Sequence, residues 1–200
     1  SLNCVAQPSQ PSHLEPRRAA RPGTDQKITD QKKRLMNLDE QQLQQITIDV
    51  CESMLGLTLS PIDSEIDTAQ QLVASVEIRG ERNAAVQVFA HEHLMAAIAE
   101  AMFCSDRGSL SEAEIHDAFG EIANMIGGNV KGAFGCEGDL SLTLPTIGEA
   151  HDWLDQLPHV GLRTTFECCG HPLTIVLREI APPAPPLQSV EPAARRIATA

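Results

Sequence analysis

The 200-residue chain predicts an α+β domain, an antiparallel sheet with helices packed against it. Three observations carry that prediction. Apolar residues recur at helical spacing near residues 38–57, 91–104 and 111–133. Shorter runs between and after them alternate apolar with polar residues or are rich in Val, Ile and Thr, the pattern of strands. The two kinds of run are segregated, in the order helix, hairpin, two helices, three strands.

Residues 1–36 are rich in Pro, Ser, Gln, Arg and Lys and lack periodicity, so they read as a disordered leader. The ordered domain is expected over 37–181. Leu38-Asp39-Glu40 opens its first helix, with Leu43, Ile46, Val50, Met54 and Leu57 on one side. Leu59-Ser60-Pro61 is expected to stop it, because proline disfavours helical backbone at the residue before it. In 71–90, Val73, Val76 and Ile78 lead into Arg79–Asn83, and Val86, Val88 and Phe89 follow, a hairpin. The Ala-rich helix after it begins at His91-Glu92-His93. Two histidines two residues apart cannot share a helix face, so they are expected to mark the turn into the helix. The loop Ser105–Gly108 separates this helix from the third.

After Gly135, Leu140, Leu142 and Leu144 alternate with polar residues, as one buried face of a strand would. The loop Gly148–Pro158 carries Trp153 and Leu154, expected to pin it to the core. Residues 159–168 and 172–180 form two closing strands around a turn at Gly170-His171. The Pro-rich stretch from 182 to 200 is a disordered tail.

Composition narrows the functional classes. Residues 1–40 hold seven Lys/Arg and five Asp/Glu, net +2, whereas 41–180 hold six and twenty-one, net −15. So acidic a domain is a poor match for nucleic acid or an anionic membrane. No apolar run approaches the ~20 residues needed to cross a bilayer. Ser1 opens the chain without a signal-peptide pattern, as expected of a fragment or a processed chain. The six cysteines include no CxxC pair and read as reduced thiols, several in the core. Cys168-Cys169-Gly170-His171 hints at a metal, but no second ligand pair complements it, and core packing ranks ahead. No metal site is expected.

The third helix concentrates the chemistry. Ser111 and Glu114 have capping-box spacing, and Ile115, Phe119, Ile122, Ile126 and Val130 form the core stripe. Asp117, Glu121, Asn124, Gly128 and Lys131 fall on the opposite side. Glu121 and Asn124 therefore stand one turn apart, either a chemical device or a solvated helix face. Gly127 and Gly128 each cost about 1 kcal/mol relative to Ala in a helix interior. Bare backbone there suits a closely approaching partner surface or another helix of the same domain.

The element order, with Glu121-Ile-Ala-Asn124 followed by Met125-Ile-Gly-Gly-Asn129, resembles the chemotaxis phosphatase CheX within the CheC/CheX/FliY group. The likeness covers roughly 38–180. Only one of the five Asn has an acid three positions earlier. A single copy is similar to CheX, whereas CheC-like members commonly carry two. The leader and tail depart from the pattern.

The resemblance implies a phosphatase acting on the aspartyl phosphate of a CheY-type response regulator. Asn124 would orient the attacking water, and Glu121 would dock on the regulator's active-site Lys. Asp117, Gly128 and Lys131 are candidate partner contacts. The protein would need no cofactor of its own, the Mg²⁺ coming from the regulator. It also implies a bacterial, cytoplasmic protein and a homodimer joined through edge strands. The alternative is a non-catalytic module that binds a regulator or flagellar-switch component.

Overall fold

A computed structural model describes residues 38–64, 71–135, 139–154 and 161–182. The expected leader 1–36 and tail beyond 182 lie outside the described residues, as do Asp155–Pro158 of the expected loop. In chain order the elements are α1 (Glu40–Leu55), β1 (Ser60–Pro61), β2 (Gln71–Arg79), β3 (Ala84–His91), α2 (Glu92–Phe103), α3 (Glu112–Ala133), β4 (Ser141–Leu142), β5 (Thr146–Glu149), α4 (Ala150–Leu154), β6 (Gly161–Cys168) and β7 (His171–Glu179). The sheet runs β1-β6-β7-β3-β2-β4, with β5 also on β2, and each of these pairings is antiparallel. The α+β reading holds.

Alternation along the strands puts one set of side chains under the helices. Val76 and Ile78 of β2, Val86 and Val88 of β3, Phe166 of β6 and Ile175 of β7 are buried with Leu43, Leu94, Ile98, Phe119, Ile122 and Ile126 from α1, α2 and α3. The other face carries a smaller cluster of Val73, Phe89, Ala150 and Val176, closed by Trp153. Trp153 thus pins its segment as expected, but from a short helix, α4.

Four expectations need correction. The first helix ends at Gly56, five residues before Pro61. Gly56 takes the left-handed conformation, φ 66°, and its N–H and that of Leu57 bond back to Glu52 and Cys51 carbonyls. Glycine adopts this without a Cβ clash, so it terminates the helix first. Met54 is consequently 64% exposed in the last turn, outside the core face. Ser60-Pro61 then forms a short edge strand on Phe166 and Glu167, where proline's missing N–H is harmless.

The expected strand through Leu140, Leu142 and Leu144 is broken. Thr143 still bonds the Glu77 carbonyl through its N–H and the Glu77 N–H through its Oγ1, but Leu144 is 85% exposed and Pro145 interrupts the ladder. The last turn lies one residue earlier than expected. Cys169 and Gly170, with φ 52° and 78°, form the two-residue connection, and His171 already pairs with Cys168. Paired positive φ values match the twist of a tight hairpin.

The cysteines divide as their surroundings dictate. Cys51 and Cys168 are buried, Cys104 and Cys169 exposed. Burial pushes the Cys51 thiol from 9.0 up to about 12, helped by Glu52. Burial does the same to Cys168, again to about 12, helped by Cys169. Their folded-state values lie above the unfolded one, so the stability they support is complete below about pH 9 and lost as pH rises towards 12. Urea unfolding should show a falling midpoint across that window, and the loss should shrink in Cys51→Ala. At pH 8 a thiol reagent with peptide mapping should modify Cys104 and Cys169 well ahead of Cys51 and Cys168.

Helix α3 lies unusually close to the sheet. A Cβ at Gly127 would stand 2.6 Å from Val76 Cγ2 and 3.3 Å from Leu142 Cδ1, whereas one at Gly128 would meet nothing within 4 Å. Gly127→Ala should therefore lower stability by about 1–3 kcal/mol through overpacking. Gly128→Ala should raise it by up to about 1 kcal/mol through helix propensity. Opposite shifts of the urea midpoint are the expected readout.

Candidate functional site

Helix α3 starts where the sequence places it. Ser111 Oγ accepts from the Glu114 N–H, while the Ser111 N–H and Oγ donate to Glu114 Oε2 at 2.8 and 2.6 Å. The hydroxyl and then the backbone bond from Ser111 hold the Glu114 carboxyl below its usual range, since both favour the charged form. This closed box satisfies first-turn donors, and the acids of that turn complement the helix dipole.

Ala118, Phe119, Ile122, Ala123, Ile126 and Val130 are buried, so the inward face is fixed. Gly120 and Gly127, two turns apart, share that side. Pro145 sits over Gly120, its Cγ 3.1 Å from where a Cβ would be, and Leu142 and Val76 meet Gly127. These two close contacts clamp the helix against β2 and the β4–β5 connection. Gly127 is marked by the sequence as a place of close packing, but the sheet as its neighbour and the Gly120–Pro145 contact are not, although glycines seven residues apart on the core side of a helix are the available signal.

The opposite stripe is left to solvent. Asp117 and Glu121 are exposed, and Asn124, Gly128 and Lys131 are partly exposed. The structure brings Glu121 and Asn124 together. Asn124 Nδ2 donates to Glu121 Oε2 at 3.3 Å. A carboxylate can only accept, so the amide must turn its NH₂ towards it, leaving Oδ1 free to accept from something else. At 3.3 Å the bond is long and easily exchanged. Asp117, Gly128 and Lys131 lie along the same stripe without joining this pair. Gly128 has open space above it, so the intramolecular packing falls to Gly127 alone.

Asn129, exposed in the penultimate turn of α3, bonds back along its own helix, its Nδ2 donating to the Met125 carbonyl at 2.8 Å. The Cys168-Cys169-Gly170-His171 arrangement is a hairpin turn. Its two sulfurs lie 4.0 Å apart, one buried and one exposed. Among the described residues no helix is long and apolar enough to cross a membrane.

Residues 72–156 match the family described as "Chemotaxis phosphatase CheX". The fold matches the crystal structure of a CheX from Vibrio vulnificus, with a TM-score of 0.53 and 19% identity over 68% of this chain and 95% of that one. A CheX from Desulfovibrio desulfuricans gives 0.53 and 18% over 69% and 96%. The CheX of a CheX–CheY–BeF3–Mg²⁺ complex from Borrelia burgdorferi gives 0.51 and 13% over 68% and 96%. No curated protein matches the chain. The family match covers under half of this chain, and over a wider span the fold is similar to that of the CheX crystal structures.

Proposed function

We propose that this protein hydrolyses the aspartyl phosphate of a CheY-type response regulator, with Glu121 and Asn124 as its working residues. The observation that carries the reading is the Asn124–Glu121 pair on the solvent side of a helix whose other side is clamped to the sheet. The CheY partner in the Borrelia burgdorferi complex supports the choice of substrate class.

The chemistry asked of this chain is small. Water attacks phosphorus in line, the bond to the aspartyl oxygen breaks, and carboxylate and inorganic phosphate leave. Positioning and charge neutralisation dominate such a transfer. The regulator supplies its own Mg²⁺. Asn124 Oδ1 accepts a hydrogen from the attacking water and fixes its direction without titrating. Glu121 exchanges its 3.3 Å contact with the amide for an ion pair with the regulator's active-site Lys, registering α3 over the phosphate.

Gly128 leaves room for the partner's surface one turn beyond Asn124. Asp117 and Lys131 extend the contact stripe at either end. A homodimer through β6 fits the same layout, because among the described residues β1 covers only Phe166 and Glu167 of that edge, with one further bond from Ile62 to Thr165.

Decay of a phosphorylated regulator with Mg²⁺ present tests the proposal. The wild-type protein should speed it, and Asn124→Ala should return it to the regulator's own rate with an unchanged urea midpoint. Glu121→Gln should raise KM about tenfold, as loss of one charged hydrogen bond of about 1.5 kcal/mol would. Gly128→Leu should also raise KM while leaving the fold intact. An Asn124→Ala protein as active as wild type would overturn the mechanism. Binding of the regulator without any change in its phosphate lifetime would make the protein a docking module.

A further inference from the structure

At the far end of the sheet from the β2–β3 connection, two segments remote in sequence converge. His91 ends β3, His93 lies in the first turn of α2, and His171 begins β7. Their ring centroids are 6.2 Å apart for His91–His93, 6.4 Å for His91–His171 and 5.8 Å for His93–His171. Sequence spacing argued against a metal at His91 and His93 alone, and against one at Cys168, Cys169 and His171 alone. The hairpin return of β7 beside β3 joins the two halves.

None of the three rings performs an evident structural task. His91 occupies the N-cap position of α2 but makes no side-chain capping bond. Its Nδ1 is shielded from solvent and has no hydrogen-bond partner. Among the described residues His93 and His171 have no hydrogen bond or ion pair either, beyond their ring contacts. Two open cavities meet at His93. One, of about 700 Å³, is lined also by Glu100, Arg107, Cys169 and His171. The other, of about 470 Å³, places Glu92, Glu112 and Glu149 around His91. Three carboxylates beside uncommitted imidazoles make surroundings that attract a cation.

We propose that His91, His93 and His171 bind one divalent transition metal ion, Zn²⁺ or a similar imidazole-preferring ion, with the fourth position left to solvent. As the rings stand, no three ligating groups of the described residues converge on one point. The gap is small. A zinc–nitrogen bond of about 2.0–2.1 Å puts ring centroids in a tetrahedral three-histidine site roughly 5.2 Å apart. The observed pairs, at 5.8, 6.2 and 6.4 Å, are wider than that by roughly 0.6 to 1.2 Å, a gap that rotation of the rings has to close. His93 is exposed, and His91 and His171 are partly exposed, so such rotations meet little packing resistance. The rings of His91 and His93, parallel to within 8°, must turn towards each other as the ion enters.

Equilibrium dialysis of the full chain against Zn²⁺ tests this without reference to phosphatase activity. One saturable ion per chain is expected. His93→Ala and His171→Ala should each weaken binding at least tenfold, and His151→Ala should leave it unchanged. Co²⁺ in place of Zn²⁺ should give the intense visible bands of a four-coordinate site, lost in the His93→Ala protein. Position 93 is exposed and helical, so alanine there preserves the fold, and a far-UV spectrum matching wild type verifies it. No saturable uptake by the wild-type chain would overturn the proposal. So would undiminished uptake by the His93→Ala/His171→Ala double variant, which would assign the ion to other residues.

Discussion

The approach of α3 to β2 at Gly127 is the constraint on which the rest depends. Helix and sheet layers usually stand off by the length of interdigitated side chains. Here Val76 and Leu142 reach the helix backbone itself, leaving no room for a Cβ. Pro145 repeats the contact two turns earlier at Gly120. With two points fixed along its length, the helix can neither roll nor slide without a clash. Its outer stripe inherits that rigidity. A site on an exposed helix is normally limited by side-chain freedom, but the backbone that carries Glu121 and Asn124 is set by core packing.

The clamp also explains how an otherwise ordinary pair can be useful. A carboxylate and an amide one turn apart arise often by chance on helix surfaces, and most are solvated. The inner contacts distinguish this stripe. Two glycines on the buried side give close seating, while a third, Gly128, leaves the outer side bare. Within one segment the same residue type serves opposite ends, and only the direction of the missing Cβ tells them apart. The acidic domain, net −15 over 41–180, suits a partner that presents a cation to that stripe.

Much of this was legible in the sequence because it is local. The Ser111–Glu114 box, the hairpin around Arg79–Asn83 and the core stripe of α3 are set by residues within a few positions of one another. They stand in the structure as read. Periodicity and Pro61 predict a longer first helix, whereas Gly56 takes positive φ and ends it earlier. The 140–147 stretch alternates like a strand, yet Leu144 projects into solvent. Pro145 breaks the ladder and goes to Gly120, a contact between segments that periodicity cannot register. The resemblance to CheX rested on the order of elements and one motif, both of which survive these local errors.

Non-local chemistry is where reading along the chain runs out. Along the chain His91 and His93 have only each other, and His171 has only Cys168 and Cys169, as candidate co-ligands. Neither fragment offers three ligands of its own at metal-site spacing. Antiparallel pairing of β3 with β7 and of β6 with β7 determines that the fragments meet. Register is set by which side chains face the core, and the histidines, at strand ends and the first turn of a helix, contribute little to it. The positions that build the core and those that gather three imidazoles are thus different residues answering to the same sheet. A cluster assembled in this way costs the fold little, which is why its parts carry no local mark in the sequence.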